Sequence, residues 1–417
     1  LTLGLATAAT AGAASACRQQ ITRENVIPCA IEASLDAREE QLGLVALDGR
    51  RRSAGAWLPS NPTVAVTGGL PFDPSTTERT PLWSAALSQE VEIAGQRGAR
   101  LDVVAAEQRA QRGRVTRAQR QTAADALLAY FDVIASREDL KIADRLMSLA
   151  TALRTVASAR AEVGMGSDLD ARLAAASAIR LANTRIDAEQ RVATASSALA
   201  SMVGLNPLLE RPAIDGELVP LAVGDRPAAA LVEIAISQRA EFGVLAAEHT
   251  AQEQRIKVFE RLRVPNPTFS AFIRRDWIGE RAIGVGLSVP IPLPAPVGRT
   301  YAGEIAESAA LARRTETQLE RLRRSIRLEV VKAVEIVSAK KQQLELYTPE
   351  QIEKTGRALD AIAEELVAKR LPVRDALLAQ QTLIEVLSGH IEARRALCFA
   401  TVELARVAGI EIERGVQ

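Results

Sequence analysis

Few residues in this sequence have the types and spacing that catalysis or metal binding requires. The 417-residue chain contains two histidines, His249 and His390, and three cysteines, Cys17, Cys29 and Cys398. They form no Cys-x-x-Cys motif and no cluster with the spacing of metal ligands. No Ser/His/Asp or paired-carboxylate constellation stands out either. We therefore expect no enzyme activity, no metal centre and no cofactor.

Cys17 is the residue whose position suggests a covalent modification. It follows Leu1–Ala16, an uncharged stretch that ends in Ala14-Ser15-Ala16 and is typical of the end of a secretory signal. A cysteine at this point is a candidate lipidation site, although a lipobox prefers Leu where this chain has Ala14. Two alternatives stay open, a frayed Ala-rich terminus and a disulfide between Cys17 and Cys29.

The composition favours helices, and the charge balance does not indicate a charged binding partner. The chain carries 52 basic and 51 acidic side chains, so it lacks the excess positive charge that binds nucleic acid. Aromatic residues make up 3% and apolar residues 47%, so Ala, Leu and Val carry most of the apolar share and suit closely packed helices. Beyond Leu1–Ala16, no window reaches the length of charge-poor sequence that a membrane helix needs, so a membrane span would have to use strands.

Short matches at a nearly constant offset predict a tandem repeat. Pro59-Ser60-Asn61-Pro62-Thr63 returns as Pro265-Asn266-Pro267-Thr268, and Leu199-Ala200 with Gly204 returns as Leu404-Ala405 with Gly409. We predict a signal remnant at 1–16, a first repeat at 17–205, a Pro-rich linker at 206–227 and a second repeat at 228–417.

Each repeat contains a stretch with the period of two that is typical of strands. In the last of these strands Ile283, Val285 and Leu287 alternate with Gly284, Gly286 and Ser288, so one face is apolar and the other is small and polar. We predict that the three apolar residues face lipid.

Helical periodicity surrounds these strands. We predict a helix over 23–57 and over 227–263 before the strands, and a long helix over 99–163 and over 300–367 after them. Thr348-Pro349-Glu350-Gln351 is a helix start signal, so the second long helix is expected to break there. A shorter helix then returns in each repeat.

Four strands per chain are too few to close a membrane barrel, which needs at least about eight. The prediction is a mainly α protein with membrane β structure, in which three copies form a 12-stranded β-barrel that continues as a long α-helical barrel. A soluble coiled-coil protein with two small sheets is the alternative, but it leaves the strand alternation unexplained.

Several short motifs occur in an order that spans the chain from about 20 to 410. They are Leu58-Pro59-Ser60-Asn61-Pro62, Leu87-Ser88-Gln89-Glu90-Val91-Glu92-Ile93-Ala94-Gly95-Gln96-Arg97, Leu128-Ala129-Tyr130-Phe131-Asp132-Val133, Val264-Pro265-Asn266-Pro267, Arg274-Arg275-Asp276-Trp277 and Leu287-Ser288-Val289-Pro290-Ile291-Pro292-Leu293. In this order they resemble the TolC-type outer membrane efflux proteins, and within that family the CzcC and CusC branch, which serves heavy-metal efflux.

The resemblance implies a passive homotrimeric conduit through the outer membrane and periplasm. It implies contact with outer membrane lipid, a periplasmic adaptor protein and an inner-membrane efflux pump, and it implies no catalysis. The exported substrate would include heavy-metal cations if the branch is right. The alternative from a different class is an exported coiled-coil scaffold or a periplasmic adaptor without a pore.

The resemblance also implies a periplasmic tip made by two helix reversals. The tip turns match Val163-Gly164 and Ala368-Lys369, and family members keep a Gly in each turn for docking of the adaptor. This chain departs from the pattern at Lys369, where the second Gly is expected.

Acidic residues just beyond the tip turns ring the closed aperture in the family. Asp170 and Asp375 match them, whereas Leu378 replaces a second acidic residue of TolC itself. Three copies of a carboxylate on an axis would attract cations and act as a gate. In the alternative interpretation, Asp170 and Asp375 only stabilise the N-termini of the returning helices.

Overall fold

A computed structural model of the chain describes residues 18–70, 81–210, 213–224, 226–276, 279–368 and 371–412. These residues are mainly helical, as the composition predicts. The helices are α1 Val26–Ala33, α2 Leu35–Ala54, α3 Gln96–Glu162, α4 Asp168–Met202, α5 Ala228–Gln238, α6 Ala240–Leu262, α7 Ala302–Glu345, α8 Pro349–Val367 and α9 Val373–Ala408.

Strands of two kinds accompany the helices. Two short strands, β1 Gln20–Ile21 and β4 Ala213–Ile214, pair in parallel. The sequence analysis predicted neither of them, and β4 lies in the linker that was expected to be irregular. The longer strands are those that the alternating pattern predicts, β2 Thr63–Gly69, β3 Leu82–Glu90, β5 Thr268–Arg275 and β6 Arg281–Ser288.

The two helices predicted over 23–57 and 227–263 are each broken, and to that extent the prediction was wrong. Ser34 leaves the helical region with ψ 118°, and its hydroxyl accepts a hydrogen bond from the Ala37 N–H at 3.2 Å, which caps α2. Arg239 is extended at ψ 126°, and its guanidinium pairs with Glu329 at 2.6 Å. Helical periodicity did not show the break at Arg239, whose partner is distant in sequence, and it did not take account of Ser34 as a local N-cap residue.

The long helices agree with the predicted ranges. α3 runs for 67 residues without interruption, whereas its counterpart in the second half is divided into α7 and α8. At the division the Thr348 N–H donates to Gln351 Oε1 and the Gln351 N–H donates to Thr348 Oγ1, both at 3.3 Å. This reciprocal pair is the capping box that the sequence predicts.

Equivalent elements of the two halves stand a nearly constant distance apart in sequence. The breaks at Ser34 and Arg239 are 205 positions apart, and so are Gly204 and Gly409. Both glycines follow a return helix in the left-handed region, with φ +76° and +69°. Glycine suits this position because it has no Cβ. The two halves of the chain share this spacing, and the tandem repeat with the bounds given above stays a prediction.

The four longer strands form one antiparallel sheet in the order β2-β3-β5-β6. The hairpin from each half contributes two neighbouring strands, and β3 pairs with β5 where the hairpins meet. Among the described residues, β2 and β6 each have a neighbour on one side only, so they are the two edges of the sheet.

The chain divides into two compact units, and each takes segments from both predicted repeats. One unit consists of Leu1–Arg38, Thr116–Arg239 and Arg323–Gln417, and the other of Glu39–Val115 and Ala240–Leu322. Among its described residues the first unit contains two apolar cores. One is built around Tyr130 and Phe131, and the other around Leu153 and Leu359. The second unit contains the four-stranded sheet.

Candidate functional site

The two faces of the sheet differ sharply in chemistry. Two rows that cross all four strands are apolar throughout and mostly solvent-exposed. They are Val64–Leu87–Ala271–Val285 and Val66–Ala85–Ile273–Ile283. Ile283 and Val285 are 84% and 87% exposed, and Leu287 lies on the same face. An apolar area of this extent is unusual on a surface that meets water.

Most side chains on the opposite face are small or polar, with Phe272 and Leu82 as larger apolar exceptions, and hydroxyl groups there bond to one another. Thr63 and Ser88 hydroxyls lie 2.7 Å apart, and those of Thr67 and Ser84 lie 2.6 Å apart. Gly284 belongs to this face because a Cβ there would lie 2.5 Å from the ring of Phe272. The sheet therefore has one face suited to an apolar environment and one suited to water, as in a membrane barrel strand.

The first helix reversal follows the predicted turn. Gly164 has φ +71°, and the Met165 N–H donates to the carbonyl of Arg160 at 2.9 Å, which ends α3. Val163 and Met165 are exposed at this turn. Ser167 then begins α4 by accepting a hydrogen bond from the Leu169 N–H.

The second reversal leads from α8 to α9. Ala368 N–H donates to the carbonyl of Glu364 at 2.9 Å, and Pro372 precedes the first residue of α9. Lys369 lies outside the described residues, so the docking turn predicted there stays a prediction. The same holds for lipidation of Cys17.

The predicted acidic residues occupy different environments. The Arg374 guanidinium lies 3.8 Å from Asp170 Oδ1, so the start of α9 meets the start of α4. That oxygen is buried and has no hydrogen-bond partner among the described residues. Asp375 is exposed and forms no ion pair within the part of the chain that the structure describes. The sequence analysis did not identify Arg374 as part of this site, although its position next to Asp375 could have indicated it.

A polar cluster joins three helices of the second compact unit, and the sequence analysis did not identify it. Glu107 accepts a hydrogen bond from Arg255 at 2.6 Å and forms an ion pair with Arg50 at 2.9 Å, and Arg114 pairs with Glu248. These five side chains line an open cavity of about 590 Å³. Because its carboxylates are matched by arginines, the cluster holds α2, α3 and α6 in register.

The histidines and cysteines behave as structural groups. His249 lies 3.2 Å from Glu316, and His390 packs against the ring of Tyr347. Cys29 is disulfide-bonded, while burial raises the pKa of the Cys398 thiol to about 12. Within the described residues, no group of three or more His, Cys, Asp or Glu side chains is placed to hold a metal ion.

None of the described helices combines sufficient length with sufficient apolar character to cross a bilayer.

Comparison with known proteins places the chain by its structure rather than its sequence. No protein-family model and no curated protein matches the sequence. The outer-membrane channel OprN superimposes with a TM-score of 0.73 at 16% identity, over 94% of this chain and 91% of that chain. The chain has the fold of an outer-membrane channel.

Two further solved structures support the same fold. The outer membrane protein VceC from Vibrio cholerae has a TM-score of 0.72 at 16% identity, over 93% of this chain and 97% of that chain. CusC, studied for conformational changes during folding and transmembrane channel formation, has a TM-score of 0.73 at 14% identity, over 93% of this chain and 92% of that chain. Since CusC and OprN match equally well, the fold does not favour the CusC branch.

Proposed function

We propose that this protein is the outer membrane channel component of a tripartite efflux system. The observation that carries the proposal is the two-faced sheet with two free edges, found in a chain with an outer-membrane channel fold. A sheet edge in hydrocarbon leaves backbone donors and acceptors unpaired, so four strands need strands from other copies. Three copies would supply twelve strands, enough to enclose a passive conduit.

The proposal assigns a role to each surface described above. Ile283, Val285 and Leu287 would contact outer membrane lipid, and the hydroxyl-rich face would line the aqueous side. The turns at Val163-Gly164 and Ala368-Lys369 would dock a periplasmic adaptor, which connects the channel to an inner-membrane pump. Acylation of Cys17 would add a second anchor in place of a Cys17–Cys29 disulfide, since an acylated thiol cannot also form a disulfide.

The proposed substrate class follows from the acidic residues at the tip and from the sequence resemblance. Asp170 and Asp375, in three copies each, would favour cations at a constriction. Heavy-metal cations are proposed on the resemblance to the CzcC and CusC branch alone.

Deletion of the gene from its host should then lower tolerance to a heavy metal such as Cu⁺ or Zn²⁺. If tolerance to organic toxicants falls instead, the metal branch is wrong while the channel assignment stands.

The channel proposal is tested by a pair of neighbouring substitutions in β6. Ile283→Asp puts a charge on the apolar face, and Ala282→Asp puts the same charge on the opposite face, one residue away. We expect Ile283→Asp to abolish outer membrane recovery and heat-resistant β signal, because a charge on the lipid side is costly. Ala282→Asp should retain both, together with single-channel conductance in planar bilayers.

Two results would contradict the channel proposal. One is recovery of the wild-type chain as a soluble periplasmic monomer, which would favour the scaffold or adaptor alternative. The other is a detergent-purified assembly that shows no conductance in planar bilayers while its β signal is intact.

A further inference from the structure

At the end of the sheet where β5 turns into β6, the last row of residues on the apolar face is not aliphatic. Register places Gly68, Trp83, Arg275 and Arg281 side by side across the four strands. By the alternation of the strands, Trp83, Arg275 and Arg281 project from the same face as Ile283 and Val285. At the opposite end of this face the row is Gln89, Phe269 and Leu287, which carries no charge.

Arginine on an apolar sheet face needs an explanation, since a charge in hydrocarbon is costly. Nε of Arg275 is buried and has no hydrogen-bond partner among the described residues, whereas Arg281 is exposed. Trp83, half-exposed at 38%, lies in the same row as the arginines, next to the aliphatic row that contains Ala85. Tryptophan at such a level is typical of the boundary between hydrocarbon and headgroups.

We propose that Arg275 and Arg281, with Trp83 beside them, bind the phosphate groups of anionic lipid headgroups. The inference rests on the proposed membrane function, because it takes the apolar rows as the lipid-facing band. Guanidinium groups pair with phosphate oxygens through two parallel hydrogen bonds, and the long arginine side chains reach from the apolar face towards the headgroups. Only the hairpin end carries this charge, so the row would bind headgroups of one leaflet.

The test measures lipid selectivity of the full chain purified in neutral detergent. The assembly is exposed to an equimolar mixture of phosphatidylglycerol and phosphatidylcholine, and retained lipids are counted by native mass spectrometry. We expect phosphatidylglycerol to be enriched on the wild type, and the Arg275→Gln/Arg281→Gln variant to lose that enrichment roughly tenfold. Arg275→Lys/Arg281→Lys keeps the charge and should keep most of the enrichment, which separates lost binding from lost folding.

Arg274→Gln is the matched control, because Arg274 adjoins Arg275 but lies on the opposite face. It should leave the enrichment unchanged. Equal enrichment in the wild type and the double glutamine variant, or equal loss in the Arg274 control, overturns the proposal. Full competition by inorganic phosphate at the lipid concentration also overturns it, because the row would then be a general anion site.

Conductance in phosphatidylcholine bilayers separates this inference from the proposed function. If the double glutamine variant conducts normally but lipid enrichment never appears in any variant, the headgroup inference fails and the channel stands. If the wild type neither inserts nor conducts, the channel proposal itself fails.

Discussion

At the scale of single residues, Gly216 is held in a conformation that only glycine adopts easily. Its φ is +143°, and an added Cβ would lie 1.8 Å from Tyr130 Oη. That hydroxyl donates to the Asp215 carbonyl at 2.8 Å within the apolar core of the first unit. The strand β4 is therefore anchored to α3 by a contact that excludes any side chain at position 216.

We expect Gly216→Ala to lower the free energy of unfolding by about 2 kcal/mol or more, because it adds strain and displaces a buried tyrosine. Gly243→Ala is the control, since Gly243 lies in α6 with no atom within 4 Å of its Cβ position. This control should be neutral or stabilising by up to about 1 kcal/mol. Thermal unfolding in detergent, followed by circular dichroism, compares them. Equal midpoints would show that the loop adjusts around position 216.

His390 gives the first unit a predictable pH dependence. Burial and the nearby charge of Arg394 lower the pKa of its imidazole. Below the ordinary histidine pKa of about 6.5, the unfolded chain therefore takes up a proton that the folded chain does not. This contribution to stability is present above pH 6.5 and is lost as the pH falls towards the folded pKa.

The expected result is that His390→Gln reduces the loss of thermal stability between about pH 6.5 and pH 5. His249→Gln provides the comparison, because that histidine lies beside Glu316 on α7 and not in the His390 environment. A wild-type midpoint that stays constant across this range would contradict the prediction, as would equal effects of both substitutions.

At the scale of secondary-structure elements, the division between α7 and α8 depends on one capping box. Thr348→Ala removes the acceptor for the Gln351 N–H and should cost about 1 kcal/mol of stability. Hydrogen exchange of amides in the first turn of α8 should rise by the corresponding factor of about five to ten. Thr382→Ala on α9 is the control, since that hydroxyl donates to the Leu378 carbonyl within its own helix and has no other hydrogen bond among the described residues. Similar exchange in both variants would mean that tertiary contacts alone hold α8.

The breaks at Ser34 and Arg239 show how elements are limited by distant contacts. Ser34 Oγ lies 2.9 Å from Thr122 Oγ1 on α3, in addition to capping α2. At Ser34 a local cap and a distant contact therefore act together, whereas at Arg239 the partner is distant in sequence. Arg239 gains a carboxylate from Glu329, and burial of most of its side chain stabilises this ion pair.

At the scale of the whole molecule, the proposed gate is expected to depend more on Asp375 than on Asp170. The charge of Arg374 partly offsets that of Asp170 within the same copy, whereas Asp375 is exposed. In planar bilayers with a KCl gradient, Asp375→Asn should lower the cation preference, read from the reversal potential. Asp170→Asn should have a smaller effect, and Arg374→Gln should raise the cation preference because it releases the charge of Asp170.

Glu353→Gln, on the exposed surface of α8, controls for a general change in charge. Reversal potentials that are the same in all four variants would show that the constriction lies elsewhere. If Asp375→Asn instead lowers only the thermal stability, the carboxylate acts as a stabiliser of the α9 N-terminus, which is the alternative interpretation.

The sequence by itself determined the features that depend on interactions between neighbouring residues. The periods of 2 and 3.6 predicted the four longer strands and the long helices, and Thr348-Pro349 predicted the cap of α8. Gly204 and Gly409 marked the helix ends because a left-handed residue is needed there. The channel fold also followed from the order of these elements together with the family resemblance, and the solved channel structures agree with it.

Only the tertiary structure decided which distant groups meet. The pairing of Asp170 with Arg374, the cluster around Glu107 and the row of Trp83, Arg275 and Arg281 join segments separated by tens to hundreds of residues. No periodicity encodes such contacts, because register and helix packing fix them through the pairing of whole strands and the fit of whole helix faces. For the same reason the short strands β1 and β4 were missed, since each pairs with a strand that is distant in sequence.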